Sequence, residues 1–336
     1  MSAHATTKAS QTEKLTIAQA VKAALRQEMQ LDERVLVLGE DVGRDGGVFR
    51  ATEGLLEEFG ERRVMDTPLA ESGIVGASIG LALAGFRPVA EIQFTGFVYP
   101  ALNQLLAHVA RYRNRTFGRM HVPMVVRMPY GGGIHAPEHH SESYESIFLN
   151  TPGLKVAIPS NPYDTKGLLA AAIRDEDPVI FMEPKLIYRA FRQDVPVEPY
   201  TVEFGKGRIV REGTHITLIA YGAMVRVAAE AAEALQKDDV SAEVIDLRTL
   251  NPLDKDTVIE SVRKTGRAVI IHEAPRTVGF GAELSALIME HALLQLLAPV
   301  QRVAGFDVTF PPPSIEGHYL PSAARVLHAA RAALEF

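Results

Sequence analysis

Short apolar runs recur along the chain, and patterns typical of helices separate them. Val35–Leu38 is one such run, and its lack of polar alternation predicts a strand that is buried on both faces. Thr16 and Gln19 form a capping-box pattern at the start of a helical repeat. Further strands are predicted at Val89–Phe94, Met124–Met128, Lys155–Pro159 and Val179–Met182, and helices at 16–30, 51–59, 73–84, 99–113 and 164–174. This alternation predicts a parallel sheet covered by helices.

The alternation resumes after a segment, Glu183–Tyr200, that contains three prolines and no helical period. Strands are predicted after it at Ile216–Ala220, Glu243–Asp246, Ala268–His272 and Gln301–Ala304, and helices at 223–236, 255–264, 281–293 and 322–334. A chain of 336 residues exceeds one comfortable core. We therefore predict two α/β domains, each a mostly parallel sheet flanked by helices. The predicted boundaries are a disordered tail at 1–14, a first domain at 15–185, a linker at 186–203 and a second domain at 204–336.

Composition excludes several classes of function. The net charge of −6 argues against a nucleic-acid-binding surface. The absence of cysteine excludes disulfides, thiolate nucleophiles and cysteine-ligated metal clusters. The longest apolar stretch, Ile74–Phe86, is too short to span a bilayer. We therefore expect a cytoplasmic protein with neither a nucleic-acid nor a membrane partner.

The octapeptide Asp66–Gly73 places an acidic side chain at a junction between a strand and a helix. Thr67 is predicted to cap the helix, and Pro68 suits its first position, which puts Glu71 in the first turn. Such junctions are where α/β sheets hold their ligands. The ordinary role of a glutamate in a first turn is to interact favourably with the helix dipole. Small residues along the following helix suit either packing within the domain or contact between subunits.

A second candidate site is the loop Pro129–Glu142, which contains three consecutive glycines and three histidines. The glycines allow the backbone to approach a ligand closely. His135 and His139 are four residues apart, as in helical zinc sites, but Pro137 lies between them and would break such a helix. We therefore predict no metal ligand in this chain. The glycine-rich loop 39–47 is predicted to be a turn, because Glu40 and Asp41 would repel a phosphate.

Many short motifs together resemble one family, the β subunits of the thiamine-diphosphate-dependent first component of 2-oxo acid dehydrogenase complexes. The octapeptide around Glu71 is the most specific of them. The others follow in the family's order from about residue 15 to the C-terminus: Gly39–Gly43, Gly46–Phe49, Glu91–Phe94, Arg127–Gly133, His139–Ser141, Pro162–Asp164, Lys166–Leu169, Ile245–Thr249 and Lys264–Arg267. The resemblance implies a pyrimidine-binding domain followed by a transketolase C-terminal-like domain.

The resemblance also implies roles for particular residues. Glu71 matches the family's catalytic glutamate, which hydrogen-bonds the aminopyrimidine ring of thiamine diphosphate. His140 matches the histidine near the reacting carbon. Leu69, Gln93 and Phe97 fall on positions that line the cofactor's pyrimidine half. Phe97 stands where branched-chain enzymes have tyrosine, which favours pyruvate slightly.

This chain lacks the Gly-Asp-Gly motif through which enzymes of this cofactor class bind magnesium and diphosphate. The resemblance therefore implies that an α subunit supplies magnesium and that the two chains form an α₂β₂ tetramer. It further implies a lipoyl-bearing acyltransferase partner, a small 2-oxo acid substrate and reductive acylation of the lipoyl group. Pyruvate and branched-chain 2-oxo acids both stay open as substrates. The alternatives are a self-contained transketolase-like enzyme and a non-catalytic assembly subunit.

Overall fold

A computed structural model describes residues 11–336 of the chain. In its first part, eight strands alternate with six α-helices. The strands are β1 (Thr12–Leu15), β2 (Val35–Gly39), β3 (Val64–Asp66), β4 (Arg87–Glu91), β5 (Val125–Tyr130), β6 (Lys155–Ala157), β7 (Val179–Pro184) and β8 (Gln193–Pro196). The helices are α1 (Ile17–Leu31), α2 (Leu55–Phe59), α3 (Glu71–Leu83), α4 (Tyr112–Arg115), α5 (Glu145–Leu149) and α6 (Pro162–Arg174).

The second part contains six strands and five α-helices in the described residues. The strands are β9 (Arg208–Arg211), β10 (Ile216–Ala220), β11 (Ala242–Asp246), β12 (Thr249–Asn251), β13 (Ala268–Pro275) and β14 (Gln301–Gly305). The helices are α7 (Met224–Gln236), α8 (Lys255–Thr265), α9 (Phe280–Ala292), α10 (Glu316–Tyr319) and α11 (Ala323–Leu334). Short 3-10 helices occur in both parts. They cover Thr95–Phe97, Tyr99–Ala101, Val109–Arg111, Glu138–His140, Lys185–Ile187, Leu293–Gln295 and Pro313–Ile315.

The larger sheet has seven strands in the order β12-β6-β7-β5-β4-β2-β3. All neighbouring pairs are parallel except β12 with β6. Helices cover both faces, so strand β2 is buried along its whole length, as its apolar run predicts. Because the strands are parallel, their carboxyl ends meet at one edge of the sheet, and the loops that follow them are brought together there.

The smaller sheet has five strands in the order β14-β13-β10-β11-β9, and only β9 is antiparallel to its neighbour. Helices α7 and α11 pack on one face, and α8 and α9 pack on the other. The apolar core on the α8–α9 side continues into the first domain, since Tyr221 and Phe280 belong to the same buried cluster as Met128 and Tyr130. The predicted fold class is thus confirmed, and one of the buried apolar clusters extends through both domains.

Two strand pairings contradict the predicted ends of the domains. Residues 1–10 of the predicted disordered tail lie outside the described residues, but Thr12–Leu15 is a strand that pairs with β8 inside the predicted linker. The prediction failed there because these strands have no apolar run. Strand β12 belongs by sequence to the second domain, yet it pairs with β6 at the edge of the first sheet.

Two helix predictions are corrected as well. Helix α3 begins at Glu71 with Ala70 as its N-cap, so Thr67 and Pro68 lie in the preceding loop and neither starts the helix. The predicted helix at 99–113 is a series of short 3-10 segments around a π-helix at Asn103–His108. Helix α1, in contrast, begins with the predicted capping box, in which Thr16 and Gln19 satisfy each other's backbone N–H groups.

Within residues 11–336, no helix combines the length and apolar character needed to cross a membrane.

Candidate active site

The carboxyl edge of the larger sheet collects most of the predicted site residues. Glu40 follows β2, Glu71 follows β3, and Gln93 and Phe97 follow β4. The histidine-bearing loop follows β5, the next strand in the sheet. Residues that lie up to 100 positions apart in the sequence therefore share one edge because of the parallel topology.

Glu71 is the first residue of α3, and only 8% of its surface is exposed. A carboxylate at this position is stabilised by the unpaired backbone N–H groups of the first helical turn. Glu40 is equally buried beside it. Burial raises the pKa of the Glu40 carboxyl, and the negative charges of Glu71 and Asp41 raise it further. The two acids form a pair in which Glu40 retains its proton to higher pH than an ordinary glutamate.

Of the two other predicted site residues near this acidic pair, Gln93 is held by a hydrogen bond and Leu69 is exposed. The Gln93 side-chain amide donates a hydrogen bond of 3.1 Å to Asp41 Oδ2, which fixes it against the loop after β2. Leu69 lies in the loop before α3 and is 81% exposed. An apolar side chain held this far out is available to pack against a ligand or another chain.

His140 lies in an aromatic pocket at the same edge. Its ring centroid is 4.7 Å from that of Phe94 and 5.0 Å from that of Phe97, both in edge-to-face geometry. The buried Nδ1 of His140 has no hydrogen-bond partner among the described residues. Burial lowers the His140 pKa, and the neighbouring His139 and Lys185 lower it further. The ring is therefore neutral at neutral pH and can accept a proton.

The other two histidines of the loop have separate surroundings. His139 packs against Phe97, with the ring centroids 5.2 Å apart, and its Nδ1 lies 3.7 Å from Glu142. His135 is 76% exposed, and its Nδ1 lies 2.9 Å from Glu316. Within the described part of the chain, no three His, Asp or Glu side chains converge on a position that could hold a metal ion. This geometry gives the zinc alternative no support.

The chain matches known proteins along nearly its whole length. The family model described as "Transketolase, pyrimidine binding domain" matches residues 13–190, and the model "Transketolase, C-terminal domain" matches residues 205–326. Pyruvate dehydrogenase E1 component subunit beta of Bacillus subtilis is 55% identical over 96% of this chain and 99% of that protein. The proteins of the same name from Staphylococcus epidermidis and Staphylococcus aureus are 52% and 50% identical over the same shares.

The chain belongs to the β-subunit family of the first component of 2-oxo acid dehydrogenase complexes. A solved structure titled "Split gene transketolase, inactive beta4 tetramer" also has the same fold, with a TM-score of 0.79 at 22% identity. That likeness covers 96% of this chain and 99% of the other.

The site residues suit the cofactor of this β-subunit family, thiamine diphosphate. An aminopyrimidine ring needs a carboxyl partner for a ring nitrogen, a polar neighbour for its amino group and apolar surfaces for its faces. Glu71 supplies a buried carboxyl group, Gln93 an amide, and Leu69 and Phe97 the apolar surfaces. The donor set fits that half of the cofactor.

Sequence reasoning gave no role to a charged cluster in the interior of this edge. Arg127 in β5 is fully buried and donates two hydrogen bonds to Glu183, at 2.7 and 2.9 Å, and one to Glu91 at 2.7 Å. The Tyr188 hydroxyl also donates to Glu183. The cluster joins β4, β5 and β7, whose carboxyl ends carry the site loops. The feature of the sequence that could have indicated this cluster is the arginine in the middle of an otherwise apolar strand.

Lys185 is a second residue that sequence reasoning missed. It follows β7, is buried, and donates a hydrogen bond of 2.6 Å from Nζ to the backbone carbonyl of His140. Nζ also lies 5.3 Å from the centre of the Phe94 ring. Burial lowers the Lys185 pKa to about 7, although Glu273 and Glu316 oppose the shift. Nothing in the local sequence distinguishes this lysine from a surface residue.

Proposed function

We propose that this chain is the β half of a 2-oxo acid dehydrogenase first component that decarboxylates pyruvate and passes the acyl group to lipoamide. The observation that carries the proposal is the identity of 50–55% to three pyruvate dehydrogenase β subunits over 96% of the chain. The site at the carboxyl edge supports it, since both residues expected to act lie there, Glu71 at the start of α3 and His140 in the segment after β5.

Thiamine diphosphate, when bound, supplies a carbon nucleophile and an electron sink for loss of carbon dioxide. This chain binds the aminopyrimidine half. The Glu71 carboxyl group would hold a ring nitrogen of the pyrimidine through a hydrogen bond. The adjacent Glu40 is buried with it, and burial together with the charges of Glu71 and Asp41 raises the Glu40 pKa. Gln93 would orient the amino group, and Leu69 and Phe97 would supply apolar surfaces for the ring faces.

His140 is the residue proposed to transfer a proton at the reacting centre. Its neutral ring, with an unpartnered Nδ1, can take up or deliver a proton near the reacting carbon. Phe94 and Phe97 pack edge-to-face against the ring, and its Nδ1 is buried although the residue as a whole is partly exposed. A shielded nitrogen suits transfer of the acyl group to the lipoyl arm, because water is the competing acceptor.

An α subunit supplies the magnesium–diphosphate half of the site in this proposal, because the chain lacks the Gly-Asp-Gly motif. The assembly is an α₂β₂ tetramer that docks a lipoyl-bearing acyltransferase. The small residues Gly73, Ala77 and Gly80 on α3 are exposed in the single chain. Exposed small residues allow another backbone to approach closely, so they support the alternative in which α3, the helix that presents Glu71, contacts another subunit.

Pyruvate is the proposed substrate rather than a branched-chain 2-oxo acid. Two observations support this choice: the names of the relatives and the phenylalanine at position 97. Phe97 packs against both His139 and His140, so its side chain is part of the wall around the reacting centre. A wall residue of this kind affects which acyl group fits.

The test is cofactor-dependent decarboxylation by the chain alone and by the chain co-expressed with its α subunit. Pyruvate and 2-oxoisovalerate are compared, and cofactor binding is followed by calorimetry. We expect turnover only from the pair, faster with pyruvate, and a loss of about 100-fold or more in kcat for Glu71→Gln.

The matched control is Glu57→Gln, an exposed glutamate in the first turn of α2, which should leave turnover unchanged. Turnover by the chain alone would replace the proposal with the self-contained transketolase-like enzyme. A pair that binds cofactor without turning over either substrate would point to a non-catalytic subunit.

A further inference from the structure

The loop that carries His140 is held from the second domain. Directly after β5, the backbone N–H of Gly132 donates to the side chain of Glu273, which lies in β13 of the second domain. The N–H of Gly133 donates to Glu316, which begins α10. Both carboxylates are almost fully buried. Two adjacent peptide groups of a first-domain loop thus take their hydrogen-bond acceptors from the other domain.

Two of the three glycines, Gly131 and Gly132, are required by how closely this second-domain wall approaches. A Cβ added at Gly131 would lie 2.6 Å from Glu273 Oε1, and one at Gly132 would lie 2.4 Å from the Phe310 ring. Gly131 and Gly133 have φ angles of 80° and 89°, which also favour glycine. The backbone of the loop is therefore pressed directly against the carboxylates, with no space for a side chain between them.

Lys185 fixes the other end of the same loop. Its ammonium group donates to the carbonyl of His140 at 2.6 Å. The charges of Glu273 and Glu316 raise the Lys185 pKa against the effect of burial, so the groups that hold the two ends of the loop are near one another. We call Glu273, Glu316 and Lys185 the loop anchor.

Burying three ionisable groups is costly, and an apolar contact would hold a loop at lower cost. Burial raises the Glu273 pKa to about 7, which reflects that cost. What the polar arrangement supplies is a defined position, because each hydrogen bond fixes one peptide group relative to the second domain.

We propose that the loop anchor sets the position of the His140 ring, so that the second domain controls the geometry of the reacting centre without contacting it. This inference rests on the proposed function, in which His140 transfers a proton. Glu273, Glu316 and Lys185 are positioning residues: they touch the loop backbone and act on the reaction only through His140. Misplacing a reacting group by about 1 Å is enough to cost on the order of 100-fold in rate.

The test compares Glu273→Ala and Glu316→Ala with Glu273→Gln and Glu316→Gln in the assembled α–β enzyme. Alanine removes the acceptor for the glycine N–H, whereas glutamine keeps an acceptor oxygen without the charge. We expect the alanine variants to lose about 10-fold to 100-fold in kcat with the KM for pyruvate within about twofold of wild type. The glutamine variants should recover most of that loss.

Hydrogen exchange of the amides in residues 131–142 is the readout that does not depend on turnover. Exchange should be faster in both alanine variants and close to wild type in the glutamine variants. Glu283→Gln, an exposed glutamate in the first turn of α9, is the control and should change neither quantity. If an alanine variant fails to fold, Lys185→Met takes its place, with faster exchange expected at residues 138–142.

Unchanged loop exchange and unchanged kcat in folded alanine variants would overturn the inference. Equal losses in kcat for alanine and glutamine would also overturn it, because the charge and not the hydrogen bond would then matter. A wild-type assembly that does not decarboxylate 2-oxo acids would refute the proposed function, while the exchange measurements would still decide whether the second domain positions the loop.

Discussion

Arg127 shows at the scale of single residues how much the site edge depends on buried charge. The guanidinium is enclosed among Glu91, Glu183 and Tyr188, and its geometry toward Glu183 is bidentate. Burial raises the pKa of Glu91, and only the neighbouring Arg127 opposes that shift. Once the arginine is removed, two carboxyl groups remain in the interior without a cationic partner.

Replacing Arg127 with methionine should therefore lower the free energy of unfolding by about 3–5 kcal/mol, the usual cost of leaving a buried charge uncompensated. Urea unfolding followed by far-ultraviolet circular dichroism measures this, since the chain contains no tryptophan. The control is Arg26→Met, which removes an exposed ion pair with Glu58 and should cost about 1 kcal/mol or less. Equal effects of the two substitutions would contradict the argument.

The contributions of individual residues to the site were only partly predictable. Glu71 and His140 lie within distinctive motifs, and the structure places both at the sheet edge. Arg127, Glu183 and Lys185 were missed because a pairing across three strands leaves no fixed spacing in the sequence. Glu273 could not be recognised at all, since its role depends on how the second domain packs against the first.

Helix α3 is the element that presents Glu71, and its sequence specifies its end better than its beginning. Gly85, with a φ angle of 96°, follows the last turn and ends the helix in the way common for C-terminal glycines. At the beginning, Ala70 makes no side-chain cap. The unfilled N-terminus leaves backbone N–H groups free for the Glu71 carboxylate and for a ligand.

Two glycines of this element allow a matched test of its backbone. A Cβ at Gly80 or at Gly85 would meet nothing within 4 Å, but only Gly85 has a positive φ angle. Gly80→Ala should therefore stabilise the isolated chain by about 0.5–1 kcal/mol, since alanine is the better helix former. Gly85→Ala should destabilise it by about 1–2 kcal/mol because of the left-handed conformation. Thermal unfolding of both variants measures the contrast, and changes of the same sign would refute it.

Elements with a clear periodicity were predicted closely, whereas those shaped by neighbours were not. Strand β10 and helix α8 lie within a residue of their predicted ends. The segment 99–113 has helical periodicity but forms 3-10 and π turns, so its detailed path is set by packing beneath the site. Strand β12 is only three residues long and forms because it meets the edge of the other domain's sheet. Local sequence carries no record of such a contact.

At the scale of the whole molecule, a second buried polar cluster joins the two domains on the side of α6. Asp164 in α6 pairs with Arg248 at 2.8 Å, and the Ser160 hydroxyl donates to Asp246 at the end of β11. Arg208 lies 3.7 Å from Asp164 and 3.5 Å from Asp246. The two aspartates are fully buried, and burial together with the charge of Asp164 raises the Asp246 pKa to about 6.

This cluster predicts a dependence of stability on pH. Asp246 has a pKa of about 6 in the folded chain, against a usual value of 3.8. Between these values the folded chain holds a proton that the unfolded chain has lost. The stabilisation from Asp246 is therefore fully present below about pH 4 and is lost as the pH rises through about 6. Two pKa units correspond to about 3 kcal/mol.

Asp246→Asn lacks this titration, so its unfolding free energy minus that of the wild type should rise by about 2 kcal/mol between pH 4.5 and 7. Urea unfolding at four pH values across that range measures the difference. Asp254→Asn is the matched control, because hydrogen bonds from Gly207 and Thr257 outweigh burial and lower the Asp254 pKa. Its difference from wild type should stay nearly constant across that range, since a carboxyl whose pKa is lowered from 3.8 loses its stabilisation only below about pH 4. A difference for Asp246→Asn that does not vary with pH would mean that the two domains are not joined through a protonated aspartate.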